Sequence, residues 1–348
     1  MVRMQDVAER ANVSIATVSF VVNGTKRVSE STRTRVETAM TELGFTRNVV
    51  ARALASKRSR LLALVFPDLD TRGNWSALEF VHGASAAAAE RDHHLILWPV
   101  ENDPAALREY LDGGLVDGVI AMEVQLEDPR VPVLDERGTP YVLIGRTAVT
   151  SGYAFADIDF EATTASALED LSALGHRRVA LLLEQPGALG ASAYGPPVRV
   201  ERVYREFLSE RDVEPVVVLS GRDPASGTDA AARLLETAPE TTAVLVMNDE
   251  ALPGLLRGLR DAGRSVPDDI SVVGIATAKR MAEFCEPPLE HYAPPGYELG
   301  HLAALALIDR LEDPDAPPIN TLLPCVRGPG ASVAGVRARP RNGSTAGT

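Results

Sequence analysis

The sequence predicts an α/β protein in which a small helical segment at the N-terminus precedes a larger body of two lobes built on parallel sheets. Three short helical patterns follow one another over residues 1–46, with tight connections between them. From residue 61 onward, short apolar runs alternate with helical stretches, which is typical of parallel sheets covered by helices. The 348 residues allow two or three domains with sizeable cores.

The charge of the chain is divided unequally between these two parts. The formal net charge is −13, but residues 1–60 hold eleven Lys or Arg against five Asp or Glu, a net charge of +6. The rest of the chain therefore carries −19. A basic segment on an acidic body is the electrostatic footprint of a protein that meets phosphate groups through that segment alone. A chance asymmetry is the alternative, which charge by itself does not exclude.

The composition excludes several other classes of protein. Hydrophobic residues make up 45% of the chain and charged residues 24%, which is ordinary for a globular protein. Two cysteines, Cys285 and Cys325, are too few for a zinc ribbon or a disulfide lattice, and we expect reduced thiols. The N-terminus lacks the apolar run of a secretory signal, and no stretch approaches the roughly 18 apolar residues of a membrane helix. We therefore expect a cytoplasmic protein without a membrane partner.

The first 46 residues predict three helices with apolar inner faces. Their expected bounds are 4–11, 15–22 and 30–43. Ser14 is placed to cap the second helix, because its hydroxyl group can accept a hydrogen bond from a free amide of the first turn. Ser29 caps the third helix in the same way, and Gly44 ends it.

The second helix carries apolar side chains on the face that points away from its valines. Ile15, Ala16 and Phe20 would be unfavourable in water but could contact thymine methyl groups in a DNA major groove. Short polar side chains stand where they could reach phosphates: Ser14, Thr17, Ser19 and Asn23. Two short helices joined by a tight turn and braced by a third suit a helix-turn-helix. The alternative is a three-helix bundle whose second helix packs on another domain.

The N-terminal segment resembles the headpiece of the LacI/GalR family of bacterial transcription regulators. Residues 6–24 read DVAERANVSIATVSFVVNG and follow the family pattern D-V-A-x-x-A-x-V-S-x-x-T-V-S-x-x-L/V-N. The match continues through residues 28–36 and 43–45. By this resemblance, the base-reading positions of the family hold Ile15, Ala16 and Phe20. Its phosphate-contacting positions hold Ser14, Thr17, Ser19, Asn23, Ser29 and Thr32.

Two positions of this segment depart from the family pattern. Phe20 stands where many members carry an arginine, which reads guanine through two hydrogen bonds, so the DNA site need not contain guanine there. Arg3 stands where the family often has a threonine that caps the first helix. Asp6 still complements the dipole of that helix.

A short alanine-rich linker over residues 47–60 resembles the hinge of the family, whose helix lies in the minor groove at the centre of a pseudo-palindromic site. A helix of nine residues is marginal in water, so we expect it to fold only when DNA and a second copy hold it. The resemblance places Asn48, Ala51 and Leu54 at the groove, with Leu54 wedged between base steps. Packing of Leu54 on the body is the alternative.

The body shows the strand and helix order of the periplasmic-binding-protein-like core of the family, and four of its segments resemble family signatures. These are residues 174–180, 248–251, 266–274 and 297–300. The resemblance implies three crossings between the lobes, near residues 157, 288 and 320. The predicted domains are a head over 1–46, a hinge over 47–60, a first lobe over 61–157 and 288–320, a second lobe over 158–287 and 321–337, and a disordered tail over 338–348.

A small-molecule effector is expected in the cleft between the lobes, beyond the carboxyl ends of the strands. The candidate contacts are Trp75, Arg146, Arg199, Asn248 and Asp249. Ala276 stands where the family often has an aspartate, which forfeits roughly 1.5–3 kcal/mol of charged hydrogen bonding unless another group replaces it. The hypothesis is that the effector is not a simple hexose bound in the usual way, or that the cleft is degenerate.

Three of these candidates have alternatives. Trp75 is either a platform on which a ligand ring stacks or a residue of the apolar core. Asp249 is a ligand contact or a helix N-terminal residue favoured by the dipole. Arg199 replaces the ligand-clamping arginine of the family, which aligns with Val200, only if the start of the helix is shifted by one residue.

No constellation for catalysis is recognisable, since a phosphate-binding loop, a nucleophile elbow and an H-E-x-x-H motif are all absent from the sequence. We predict no enzyme activity, no cofactor and no metal site. The expected function is that of a homodimeric transcription regulator, most simply a repressor, whose partners are a double-stranded DNA operator and a sugar-like effector. Two alternatives remain: a regulator with a degenerate cleft and no effector, and a small-molecule binding protein without regulatory output.

Overall fold

The computed structural model describes residues 2–23, 26–45, 59–67, 75–100, 102–150, 152–186 and 194–336. The chain divides into two compact units, Met1–Ser59 and Arg60–Thr348, each with its own apolar core. The predicted hinge residues Asn48, Ala51 and Leu54 and the predicted tail lie outside the described residues.

Three helices form the described part of the first unit. They are α1 (Met4–Ala11), α2 (Ile15–Asn23) and α3 (Glu30–Leu43), which confirms the three predicted helices. Val7, Val18 and Val36 are fully buried at the centre of the core, one from each helix. The Arg3 amide donates a hydrogen bond to the Asp6 carboxylate at 2.8 Å, so Asp6 stabilises the first turn of α1 without a threonine cap.

Twelve strands alternate with nine helices in the described part of the second unit. The strands are β1 (Leu61–Val65), β2 (His94–Trp98), β3 (Gly118–Ala121), β4 (Tyr141–Ile144), β5 (Ala154–Ile158), β6 (Val179–Glu184), β7 (Val216–Ser220), β8 (Ala243–Met247), β9 (Ser271–Ile275), β10 (Glu290–Ala293), β11 (Asn320–Leu323) and β12 (Val326–Gly328). The helices are α4 (Trp75–Glu90), α5 (Pro104–Asp112), α6 (Arg130–Arg137), α7 (Phe160–Ala173), α8 (Gly195–Ser209), α9 (Pro224–Thr237), α10 (Leu252–Asp261), α11 (Lys279–Phe284) and α12 (Gly296–Glu312).

The strands form two six-stranded sheets, one in each lobe. The first sheet has the order β11-β5-β4-β3-β1-β2, and the second has the order β12-β10-β9-β8-β6-β7. Every described strand pair is parallel except β10 and β12, which are antiparallel. Parallel neighbours need crossover connections, and helices provide most of them. The predicted α/β class with two lobes is confirmed.

Two predicted lobe boundaries need correction. β10 pairs with β9, so Glu290–Ala293 belongs to the second lobe. β11 pairs with β5, so Asn320–Leu323 belongs to the first lobe. The second and third crossings therefore follow these strands instead of lying near 288 and 320. The error has a physical cause, because the sheet that a short strand joins is decided by distant partners and not by its own residues.

Several elements were not predicted from the sequence: β5, β10, β11, β12, α6, α11 and α12. All five residues of β5 are buried, so the strand lacks the alternation that marks a half-buried one. α12 is apolar around most of its circumference because it packs on both α4 and the first sheet. At Gly300 the two helix backbones approach so closely that a Cβ atom would lie 2.1 Å from the Phe80 carbonyl oxygen.

Candidate nucleic-acid interface and ligand cleft

α2 begins at a hydroxyl cap. Ser14 Oγ accepts a hydrogen bond from the Thr17 amide at 3.1 Å, and the two hydroxyl oxygens lie 2.8 Å apart. This bond satisfies one free amide of the first turn, which explains why the helix starts directly after Ser14. Both hydroxyl groups stand at the positive end of the helix dipole, where anions are favoured.

α3 begins in the same way. Ser29 Oγ accepts a hydrogen bond from the Thr32 amide at 3.3 Å, and the two hydroxyl oxygens lie 2.8 Å apart. Four of the six residues predicted to contact phosphate thus form two matching pairs at helix N-termini. Of the other two, Ser19 is half-buried on α2, and the side chain of Asn23 lies outside the described residues.

α2 presents an uncharged surface on one side and a core face on the other. Ile15 is 50% exposed and Ala16 is also exposed, whereas Val18 is fully buried. Phe20 is half-buried and lies one helical turn after Ala16, so the two share a stripe. Exposed apolar groups on a short helix are what contact with thymine methyl groups requires.

The cations of the head differ in their neighbours. Arg10 Nη2 lies 2.5 Å from the Glu42 carboxylate, so its charge is paired. Lys26, just after α2, has its ammonium group 5.1 Å from the centroid of the Phe20 ring. Lys26 was not among the predicted site residues, although its charge next to the second helix was a signal for it.

In the body, Asn248 follows β8 at the carboxyl edge of the second sheet. Its Nδ2 donates to Ser220 Oγ and to the Gly221 carbonyl oxygen, both at 3.0 Å. Its Oδ1 accepts from the Ala251 amide at 3.2 Å. The side-chain amide is therefore engaged within the second lobe on both its donor and its acceptor side.

Asp249 ties the loop after β8 to the loop after β9. Its carboxylate accepts a hydrogen bond from the Ala278 amide at 3.1 Å. Shielding from water raises the pKa of this carboxyl group to about 6. α10 starts only at Leu252, so Asp249 is not an N-terminal residue of that helix. Ala276, in the loop after β9, adopts a left-handed φ of 53°. It contributes a methyl group at the position where the sequence comparison with the family pattern expects an aspartate.

Arg146 follows β4 and bridges two carboxylates. Its Nε donates to Asp157 at 3.2 Å, and its Nη2 donates to Glu161 at 2.6 Å. Asp157 belongs to β5 in the first lobe, whereas Glu161 lies in the first turn of α7 in the second lobe. Burial raises the pKa of Asp157 to about 6, although Arg199 and Arg146 act in the opposite direction. The guanidinium group that was predicted to bind an effector thus joins the two lobes.

Arg199, in α8 of the second lobe, contacts the loop that carries Arg146. The residue is buried, and its Nη2 donates to the Arg146 carbonyl oxygen at 2.9 Å. Burial, and to a lesser extent repulsion by Arg146, lowers the pKa of Arg199. Val200 is fully buried in the core. α8 begins at Gly195, four residues before its predicted start. Arg199, and not Val200, is the residue whose side chain reaches the first lobe.

Asp157 and Glu161 were missed by the sequence reasoning. A carboxylate inside an otherwise apolar buried strand was the available signal for Asp157, since such groups need a partner. Glu161 lies where acidic residues are common for a different reason, the helix dipole, so its position gave no signal. Trp75 begins α4, and its side chain lies outside the described residues.

Comparison with known proteins finds a matching family for each of the two units. Residues 3–48 match the family described as bacterial regulatory proteins, lacI family, and residues 168–333 match a periplasmic binding protein-like domain. The HTH-type transcriptional regulator CelR of Thermobifida fusca is 32% identical over 331 residues, which is 92% of this chain and 95% of that protein. The chain belongs to the LacI family.

Other members of the LacI family extend the likeness. Catabolite control protein A of Priestia megaterium is 30% identical over 311 residues, 87% of this chain and 90% of that protein. The solved complex of the regulator CelR with cellobiose has 30% identity and a TM-score of 0.71, covering 95% of this chain and 100% of that one. The lac repressor dimer bound to operator and the anti-inducer ONPF has 27% identity and a TM-score of 0.81, covering 96% and 99%.

Like its relatives, this LacI-family chain is a DNA-binding transcriptional regulator and not an enzyme. Within the described ranges, no helix has both the length and the apolar character needed to cross a membrane. Three or more His, Cys, Asp or Glu side chains do not come together as a metal site anywhere in that part of the chain. Cys285 and Cys325 are both buried, free thiols.

Proposed function

We propose that this LacI-family regulator is a repressor that binds a pseudo-palindromic operator as a homodimer. The observation that carries the proposal is the pair of hydroxyl caps, Ser14 with Thr17 and Ser29 with Thr32, beside the uncharged exposed face of α2. Hydroxyl groups at helix N-termini suit phosphates, which position a protein on DNA, and apolar side chains suit base edges, which specify the sequence. The lac repressor, which is similar over most of this chain, is bound to its operator as a dimer.

The roles of individual residues follow from this proposal. The residues that we assign to base contact are Ile15, Ala16 and Phe20, and those assigned to phosphate contact are Ser14, Thr17, Ser19, Asn23, Ser29 and Thr32. Asn48, Ala51 and Leu54 would act in the central minor groove, where an inserted leucine opens a base step. Since bacterial DNA lies in the cytoplasm, the regulator acts there.

Selection of bound duplexes from a random pool tests the operator proposal. The expected result is a palindrome with a flexible central step and an affinity that falls steeply with salt. The variant Leu54→Ala should weaken binding to that site, whereas Leu78→Ala, at a residue of α4 that is 56% exposed, should not. Selected duplexes without a common palindrome would contradict the dimeric operator.

We also propose that a sugar-like effector binds between the lobes and that the regulated genes serve carbohydrate metabolism. The similar regulator CelR was solved with cellobiose. Ala276 supplies no carboxylate for sugar hydroxyl groups, and the side-chain amide of Asn248 already has partners, so we expect an effector other than a simple hexose. Calorimetry with common hexoses and with cellobiose tests this expectation, and micromolar binding of a hexose would refute it.

A second candidate is a regulator without a small-molecule effector. It is favoured by the engagement of Arg146 and Arg199 between the lobes, which leaves two of the predicted ligand contacts occupied. The two candidates differ in one measurement, the operator affinity in the presence of a small-molecule extract from cells. A change in affinity supports an effector, and an unchanged affinity across extracts supports the second candidate.

A further inference from the structure

Four charged residues join the two lobes beside the first crossing. They are Arg146, Asp157, Glu161 and Arg199, and we name them the interlobe clasp. Three hydrogen bonds of these side chains cross between the lobes. Arg146 Nη2 donates to Glu161 at 2.6 Å, and in the opposite direction Arg199 Nη2 donates to the carbonyl oxygens of Arg146 at 2.9 Å and Thr147 at 3.4 Å. Any rotation that separates the loop after β4 from α7 and α8 must break all three.

The clasp is shielded from water. The side chains of Asp157, Arg199 and Arg146 are 6%, 10% and 15% exposed, and that of Glu161 is 28% exposed. Charge-assisted hydrogen bonds in such surroundings are stronger than neutral ones, whereas an exposed ion pair contributes little. Arg146 Nε also donates to Asp157 at 3.2 Å within the first lobe, so the guanidinium group has a carboxylate partner in each lobe.

The backbone acceptor of the clasp is held in place as well. The Thr147 amide donates to the Tyr153 hydroxyl oxygen at 3.1 Å, and the hydroxyl oxygens of these two residues lie 2.6 Å apart. Tyr153 is buried in the core of the first lobe. The loop that presents the Arg146 carbonyl group to Arg199 is therefore tied to the rigid part of its lobe.

We infer that the clasp holds the lobes in one relative orientation when no effector is bound, and that this is the orientation that binds the operator. This rests on the proposed repressor function, in which the chain binds DNA without its effector. An effector shifts such an equilibrium only by its difference in affinity for the two orientations. It must therefore offset the clasp bonds, and Arg146 and Arg199 act as positioning residues of the switch.

Distances between spin labels test the clasp directly. Labels at Glu109→Cys in α5 and Glu236→Cys in α9 report on the two lobes, because both positions are exposed and both native cysteines are buried. Dilution with unlabelled chain restricts the measurement to distances within one chain. A single narrow distribution is expected for the parent chain, and a second population is expected with Glu161→Gln or Arg199→Gln.

The matched control is Glu201→Gln. Glu201 pairs with Arg205 at 2.7 Å within α8, so this variant removes an ion pair of the same chemistry that does not cross between lobes. Arg199→Lys keeps the positive charge but loses the planar guanidinium group with its several N–H donors. It should give a second population smaller than that of Arg199→Gln. A distance distribution that is equally narrow in all variants would overturn the clasp.

Operator affinity of the full-length chain gives the second readout. If the fraction of competent molecules falls to between about a tenth and a third, Glu161→Gln and Arg199→Gln should bind the operator roughly three- to tenfold more weakly, while Glu201→Gln is unchanged. A second distance population with unchanged operator affinity overturns the link to DNA binding. Failure of the parent chain to bind any duplex refutes the repressor function instead, and the distances still decide whether the clasp holds the lobes.

Discussion

The ammonium group of Lys26 lies 5.1 Å from the centre of the Phe20 ring. Within α2 itself, the sequence Ile15–Asn23 contains no charged residue. The cation beside the exposed face of this helix therefore comes from the segment that follows it, and the ring attracts it by about 0.5–1 kcal/mol at an exposed site. Phe20 thus contributes an apolar surface and a ring that weakly attracts the positive charge of Lys26.

Replacing Lys26 should reveal one phosphate contact. Lys26→Gln is expected to weaken binding to all duplexes by a similar factor and to reduce the slope of log affinity against log salt by about 0.9, because one fewer counterion is released. Titrations at several salt concentrations measure the slope. Lys279→Gln, at an exposed lysine of the body near Glu283, is the control and should keep the parent slope. An unchanged slope for Lys26→Gln would place this lysine away from the backbone.

A second prediction concerns the base that α2 reads. Phe20→Arg should introduce a preference for guanine in each half-site, since a bidentate arginine discriminates against other bases by about 1–3 kcal/mol. Duplex selection with the variant and the parent chain measures this change. Phe20→Leu keeps an apolar side chain and should introduce no guanine. If both variants select the same bases, Phe20 does not face the major groove.

The cap of α2 should be measurable locally. Ser14→Ala removes the acceptor for the Thr17 amide and is expected to cost about 1 kcal/mol in the stability of the first turn. Hydrogen exchange in the full-length chain should show faster exchange at the amides of that turn. Thr38→Ala, at an exposed position within α3, should leave them unchanged. Equal exchange in both variants would mean that the cap is not required for the helix.

The sequence predicted the bounds of helices and strands better than it predicted which distant side chains contact each other. The bounds of α1, α3, α5, β4 and β8 agree with the prediction, because periodic or continuous apolar residues end at capping or turn residues. The hydroxyl caps at Ser14 and Ser29 could be predicted for the same reason, since each bond spans only three residues.

The cleft shows where such reasoning stops. Arg146 and Arg199 were predicted to contact an effector, but their partners in the structure lie 15 and 53 residues away in sequence, across a lobe crossing. Asn248 finds its Ser220 partner 28 residues away, at the end of β7, which is separated from β8 by β6 in the second sheet. A side chain shows what chemistry it can do, whereas tertiary packing decides whether a ligand or the protein itself uses it.

The contact between α4 and α12 predicts an unusual sensitivity to one methyl group. In Gly300→Ala the new Cβ atom would lie 2.1 Å from the Phe80 carbonyl oxygen, so the helices must separate. We expect a loss of about 1–3 kcal/mol in the free energy of unfolding. The control is Gly113→Ala, where the nearest atom is 3.4 Å away at ordinary contact distance. Thermal melting of both variants measures the difference, and equal melting temperatures would disprove the close packing.

The buried carboxyl group of Asp157 predicts a pH dependence with a definite sign. Burial raises its pKa in the folded chain to about 6 from an ordinary value of 3.8, so the folded state binds more protons than the unfolded state between these values. The contribution of this group to stability is therefore largest below about pH 4 and is lost as the pH rises through about 6. Asp249 acts with the same sign.

Asp157→Asn should flatten this dependence without removing it. Asparagine keeps an oxygen that accepts from Arg146 Nε but does not titrate, so the fall in unfolding free energy between pH 4 and 7 should be smaller by roughly 1–3 kcal/mol. Urea unfolding of the full-length chain across this range measures it. Asp229→Asn, at an exposed position of α9, should retain the parent profile. The same profile in Asp157→Asn would show that the carboxylate is as well solvated in the folded chain as in the unfolded one, and the clasp would then lack the shielding on which its strength depends.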